Sequence, residues 1–324
     1  MNPLDIFEGL KCGDLQLNGH IVERNRIPVA ILQPSLLIGT QDTGTEERIA
    51  ISGPLGNVVL GHCSLDNWIS LAACGALVPG CPDSVKAIST LINDPASSRT
   101  TSYILTGSRT CEEALRRYDT IRRAKVAVVG CGGIGSLAAI LLAGAGVKQL
   151  RLVDKDIVEL SNLNRQLFYT REDIGKLKVN VLAAAIRARF EGLNVEQCPE
   201  DVQIQNLEMI LQDCTAAILT VDEPLGIAAQ IRHWASRRII LVTALYTNQN
   251  AVVSLANEVR PSDSRGKWIR WPSMIPPSFG PLNAELGGLS SSVLIHALTG
   301  DLGPVYETGW SIFGFPREYE DARS

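Results

Sequence analysis

Past residue 125 the chain alternates short apolar runs with longer stretches of helical period. Val126–Val129, Leu150–Val153 and Ala216–Val221 are apolar almost throughout, the pattern of strands buried on both faces. Val195–Cys198, Arg237–Ala244 and Ala251–Leu255 read as further strands. Helical patterns separate them, at Ser136 to about Ala145, Lys176–Phe190, Ile204–Gln212 and Glu285–Leu298. In the second of these, Leu177, Val181, Ala184, Ala185 and Ala188 define an apolar stripe that leaves Lys178 free to face a ligand. Asp301–Phe315 predicts a closing strand pair. Strands alternating with helices predict an α/β fold, a doubly wound and mostly parallel nucleotide-binding sheet.

The first 95 residues are patterned differently. Val29–Leu32, Leu36–Ile38, Ile49–Ile51 and Val58–Leu60 are short runs separated by glycines and Pro54, which predicts a small antiparallel sheet. Two helical patterns follow, Leu65–Leu77, with Leu65, Trp68, Ile69 and Ala72 on one face, and Asp83–Ile92. The polar, turn-rich Asn93–Arg99 then marks a boundary between an α+β module at 1–95 and a larger domain at 96–324. Cys111–Arg123 predicts a helix leading into the sheet. No internal repeat is present.

Composition narrows the function classes. Of 324 residues, 45% are hydrophobic and the net charge is −4, with no basic run of the kind nucleic acid requires. No apolar stretch reaches the ~20 residues of a membrane span, and the N-terminus lacks the charged and apolar regions of a signal peptide, so a cytoplasmic protein is expected. The eight cysteines are scattered singly, as free thiols would be, and the four histidines are isolated. A zinc site needs clustered ligands, and no Cys-x-x-Cys pair exists; no zinc is expected.

The chemistry concentrates after Val129. Gly130, Cys131, Gly132, Gly133, Ile134 and Gly135 join a buried strand to a small-residue helix. Glycines there permit a tight turn, close backbone approach to phosphate and close helix packing, and the helix N-terminus offers unpaired N–H groups to an anion. Asp154 ends the next strand about twenty residues on, where an acid commonly bonds a ribose hydroxyl. The turn alone does not separate NAD from ATP. The polar run Asp154–Gln166 with Arg165, and Lys178 beyond it, favours a triphosphate, whose charge needs cations.

The blocks GCGGIG, DKDIVELSNLNRQ (Asp154–Gln166) and GKLKV (Gly175–Val179), with Asp222 after an apolar run, resemble the bacterial ubiquitin-activating-enzyme-like family, the ThiF, MoeB and MccB group. The resemblance covers roughly residues 96 to 260. It implies ATP- and Mg2+-dependent adenylation of a carboxylate, usually at a protein or peptide C-terminus. Carried over residue by residue, it assigns Arg165, Lys178 and Arg99 to the phosphates, Asp154 to the ribose, and Asn162 and Gln166 to positioning ATP or the carboxylate. Asp222 stands at the carboxyl end of its strand, where it can hold magnesium or, alternatively, cap the following helix. Arg99 lacks the aromatic residue that precedes its family counterpart, and Arg109, Arg116 and Arg117 compete for the role.

The peptide-maturase branch of the family implies a homodimer and a precursor-peptide clamp, winged-helix-like, in residues 1–95. It also implies a loop over the substrate tail, here the proline-rich Arg260–Asn283. No nucleophilic cysteine is identified; Cys131 reads as a small packing residue. Two other readings stay open: adenylation of a ubiquitin-like sulfur carrier, and an NAD(P)-dependent oxidoreductase or nucleotide-sensing module.

Overall fold

A computed structural model of the chain describes residues 15–42, 47–60, 65–221, 223, 227, 231, 238–246, 250–256, 278–303 and 305–311. The chain divides into two units, 1–119 and 120–324. The expected boundary at 95/96 falls between two helices of the first.

In the first unit, β1 (Leu15–Asn18), β2 (Ile21–Arg24) and β3 (Ile27–Leu32) form an antiparallel sheet that β7 (Leu77–Pro79) completes beside β3. A separate meander contains β4 (Leu37–Asp42), β5 (Glu47–Gly53) and β6 (Gly56–Leu60). The one sheet expected over 27–60 is thus two. Gly53 marks where the meander meets the chain after helix α1 (Leu65–Ala73): a Cβ there would collide with the Cys74 carbonyl. Val22, Ala30, Ile51, Leu60, Leu71 and Leu77 form the core between them. The face expected for α1 is out of phase with this, since Leu71 is buried and Ile69 exposed.

Helices α2 (Pro82–Asn93), α3 (Ser98–Thr106) and α4 (Cys111–Arg123) follow, the last running across the division. α2 buries Val85, Ile88 and Ile92, and α4 buries Cys111, Ala114, Tyr118 and Ile121, both at helical spacing. The turn-rich stretch read at Asn93–Arg99 runs into the start of α3, which buries Thr101, Ile104 and Leu105. α2 begins at Cys81 without a side-chain cap of its own. Glu112 supplies one from α4: its carboxylate accepts from the Cys81 N–H (2.6 Å) and the Ser84 hydroxyl (2.6 Å). Partial burial raises the Glu112 pKa, but these hydrogen bonds outweigh it and hold it down at about 2.

The second unit is built on seven strands. In chain order it contains β8 (Lys125–Val129), α5 (Gly133–Gly144), β9 (Gln149–Val153), α6 (Lys178–Arg189), β10 (Asn194–Cys198), α7 (Ile204–Ile210), β11 (Ala216–Leu219), β12 (Ile240–Tyr246), β13 (Asn250–Ala256), α8 (Gly280–Thr299) and β14 (Val305–Ser311). Their order in the sheet is β10-β9-β8-β11-β12-β13-β14; the first five are parallel and the last two antiparallel. β8, β9 and β11 are almost wholly buried, as their apolar runs require. Of the expected closing strand pair, the described residues hold one strand, β14, paired with β13.

After β10 the chain crosses back to place β11 on the other side of β8. That reversal opens a crevice at the carboxyl ends of β8 and β11, the usual ligand site of an open α/β sheet. Lys125 at the start of β8 and Arg151 in the middle of β9 both pair with Glu196 of β10 at 2.7 Å, tying the three strands together.

Candidate active site

The glycine turn sits at that crevice. Gly130 leaves β8 with φ +95°, a left-handed conformation that favours glycine. A Cβ on Gly135 would collide with the Gly130 carbonyl oxygen, so the helix can approach the strand this closely only with glycine there. The Gly130–Cys131 peptide is bonded at both ends: the Thr220 hydroxyl donates to the Gly130 oxygen (3.0 Å), and the Cys131 N–H donates to the Asp154 carboxylate (2.7 Å). Gly132 is the N-cap of α5 and has no side chain to satisfy the helix. The first N–H groups of α5 therefore have no intrahelical acceptor and present the positive end of the helix dipole.

Asp154 is buried, and its second oxygen accepts the Asp156 N–H at 2.8 Å. Burial raises its pKa; the Lys178 ammonium and the two backbone N–H groups oppose that rise. Each carboxylate oxygen keeps acceptor capacity for a ribose hydroxyl. Lys178 opens α6 and is itself buried, its ammonium 2.8 Å from the exposed Asp156 carboxylate. This corrects the expected face of the helix. The buried stripe is Lys178, Val179, Leu182, Ala183 and Ile186, while Ala184 and Ala188 are exposed. Alanines on several faces made the phase ambiguous in sequence, and the lysine lies on the inner face beside Asp154.

The SNLNRQ block forms a 3-10 turn, Leu160–Asn162, closed by reciprocal bonds between Glu159 and Asn162. Asn162 is buried. Arg165 is half-buried and donates to the Ser161 carbonyl (2.7 Å) and the Asn164 side chain (2.9 Å). Gln166 is 3% exposed, its Oε1 has no partner among the described residues, and its Nε2 lies 3.8 Å from where a Gly132 Cβ would be. A buried acceptor without a donor, beside a turn with unsatisfied N–H groups, is the chemistry of a polar ligand site. The residues present thus fit a nucleotide.

Four contributors carried no assigned role in the sequence. The Tyr169 hydroxyl donates to the Cys131 carbonyl at 2.8 Å. Asp156 holds Lys178. Asn283 of α8 lies against Gly133, where a Cβ would meet its side-chain amide at 2.8 Å, and Gly280 at the start of α8 lies against the Asn164 carbonyl. Only Asp156 had a signal, two residues after Asp154 in the polar block; the others come from tertiary packing.

Gly130, Gly132, Gly133, Gly135, Asp154, Asn162, Arg165, Gln166 and Lys178 are therefore gathered within the second unit. Arg99 belongs to the first unit, exposed on α3. Of its competitors, Arg117 is paired with Glu113 at 2.9 Å. Asp222 and residues 260–277 lie outside the described residues. Among the described residues no cluster of three or more His, Cys, Asp or Glu could hold a metal, and no helix is long and apolar enough to cross a membrane. Cys131 is fully buried, and burial pushes its thiol well above the ordinary range, which fits a packing role.

A doubly wound sheet with a glycine turn at its switch point, an acid after the second strand and a buried lysine opening the next helix defines a nucleotide-binding enzyme domain. The chain belongs to the ThiF family, whose model matches residues 106–309. Among curated relatives, adenylyltransferase and sulfurtransferase MOCS3 of Arabidopsis thaliana is 35% identical over 111 residues, 34% of this chain and 24% of that protein. Adenylyltransferase and sulfurtransferase uba4 of Aspergillus niger is 45% identical over 104 residues, 29% of this chain and 21% of that one. The chain thus spans about a quarter of the length of these relatives. Among solved structures, Escherichia coli MccB with MccA matches with a TM-score of 0.65 at 18% identity, covering 89% of this chain and 95% of that one. PaaA matches with a TM-score of 0.62 at 20% identity, covering 87% and 97%. At these identities the structural matches establish the fold.

Proposed function

We propose that the second unit binds ATP with magnesium and activates a carboxylate as an acyl-adenylate or acyl-phosphate, and that the carboxylate belongs to a ribosomally made precursor peptide held by the first unit. The observation that carries the activation step is the joining of three features: unsatisfied N–H groups at the start of α5, the Asp154 carboxylate and the buried Lys178. Bound ATP would supply the phosphate that the carboxylate attacks. In this reading Lys178 and Arg165 neutralise charge on the phosphates, Asp154 accepts from the ribose, and Asn162 and Gln166 orient the ligand. Asp222 anchors magnesium, and Arg99 reaches the phosphates of the other subunit of a homodimer.

The peptide part rests on the first unit, which carries two short sheets with open edges and no catalytic constellation of its own among its described residues. Extended peptides add to such edges through main-chain pairing. Likeness to MccB, solved with MccA, and to PaaA supports this branch, and cyclisation or coupling of the activated peptide is its outcome. Hydrogen exchange with and without precursor peptide tests it. New protection in residues 27–60 is the expected result. Protection confined to the second unit would leave the first unit without a substrate role.

The second reading is activation of a ubiquitin-like sulfur carrier. It is favoured by the names of the curated relatives, both adenylyltransferase and sulfurtransferase proteins. Sulfur-carrier-dependent, peptide-independent pyrophosphate release would decide for it.

A further inference from the structure

Tyr169 stands out among the groups around the glycine turn, because it is a buried hydroxyl committed to one carbonyl. Leu167 is 68% exposed and Tyr169 only 5%, so the chain turns inward after the SNLNRQ block and drives the ring under the turn. Its hydroxyl donates to the Cys131 oxygen at 2.8 Å. That carbonyl shares a planar peptide group with the Gly132 N–H, and planarity makes the two point in opposite directions. The preceding peptide is already fixed at both ends by Thr220 and Asp154. The Cys131–Gly132 peptide has a single anchor, Tyr169, and the Gly132 N–H has no acceptor among the described residues.

We propose that Tyr169 is a positioning residue for the nucleotide, holding the Cys131–Gly132 peptide so that the Gly132 N–H is aimed at a phosphate before ligand arrives. The role rests on the ATP reading given above. Without the hydroxyl, a buried carbonyl loses its donor, and glycine at 132 imposes little barrier to rotation of that peptide. A flipped peptide would present an oxygen, not an N–H, to the phosphate. Burial also raises the phenol's pKa, so the group remains a neutral donor throughout the accessible pH range.

The test is Tyr169→Phe in the full chain, which keeps the ring and removes the hydroxyl. A non-hydrolysable ATP analogue should bind about tenfold more weakly by calorimetry, the loss expected of one hydrogen bond. Turnover at saturating ATP should stay within about twofold, placing the effect in KM rather than kcat. Adding the analogue should protect the Gly132 and Gly133 N–H groups from hydrogen exchange in the wild type, and that protection should be lost in Tyr169→Phe. Unaltered affinity with unaltered exchange would overturn the proposal, as would a fall in kcat at unchanged affinity. If Tyr169→Phe does not fold, the wild-type chain decides: protection of the Gly132 N–H on adding the analogue supports the latch, and an unprotected Gly132 N–H in the bound state overturns it. Failure of the wild-type chain to bind ATP would sink the underlying reading, and the orientation of the Cys131–Gly132 peptide in crystals of wild type and Tyr169→Phe would still judge the latch itself, an unchanged peptide in the variant overturning it.

Discussion

Two buried polar groups show how differently the units are built. In the second unit the Gly130–Cys131 peptide is bonded at both ends, by Thr220 and by Asp154. In the first, the Gln33 side chain is 2% exposed, yet neither its oxygen nor its nitrogen has a partner among the described residues. The first unit also exposes Leu37, Leu55, Ile69 and Tyr103. The glycine turn is thus held by the chain's own side chains, whereas the described part of the first unit leaves polar and apolar groups unmatched. A rigid cradle suits one invariant ligand such as a nucleotide, and an unsatisfied surface suits a larger and more variable partner.

The largest effect is expected at Asp222, the residue proposed to anchor magnesium. Asp222→Ala should reduce ATP turnover about a hundredfold or more while the protein stays folded, since one electrostatic stabiliser of the phosphates would be gone. Near wild-type product formation by a folded variant would remove Asp222 from the chemistry.

Next in size is Gly135→Ala. The added methyl has nowhere to go but into the Gly130 carbonyl, and backbone cannot yield as a side-chain tip can. A loss of about 3 kcal/mol in unfolding free energy is expected. Chemical denaturation would measure it, and a loss under about 0.5 kcal/mol would mean that the turn is not rigid.

The smallest effect sharpens the account of the first unit. Glu112 has its folded pKa held at about 2 against an ordinary 4.5. A depressed carboxylate contributes stability that is full above the ordinary value and is lost as pH falls through the folded one. Glu112→Gln should therefore cost about 1 kcal/mol near neutral pH, with allowance for solvent screening. The gap to wild type should shrink between about pH 4.5 and pH 2. A gap independent of pH would mean that the staple between α2 and α4 is not electrostatic.

How much of this was legible in sequence follows the same division. The parallel strands were readable because burial on both faces forces unbroken apolar runs such as Val126–Val129. The glycine turn, with Asp154 closing the next strand, was readable because close backbone approach restricts residue choice, whereas the roles proposed for Arg165 and Gln166 came from the family resemblance. The Lys178 face was misread, because a helix as rich in alanine as α6 has no sharp apolar stripe. Tyr169 and Asn283 left no local signal, since each acts only once distant segments have packed. In the first unit β1, β2 and β7 were missed: four-residue and three-residue strands are too short to display alternation.

The central claim is that the second unit is an ATP site within an activating enzyme and not a dinucleotide site. Calorimetric titration of the full chain with a non-hydrolysable ATP analogue plus magnesium, and separately with NAD+, addresses it most directly. The account predicts saturable binding of the ATP analogue, weakened at least tenfold by Lys178→Ala, and none of NAD+ at the same concentrations. Saturable NAD+ binding without ATP binding would contradict it.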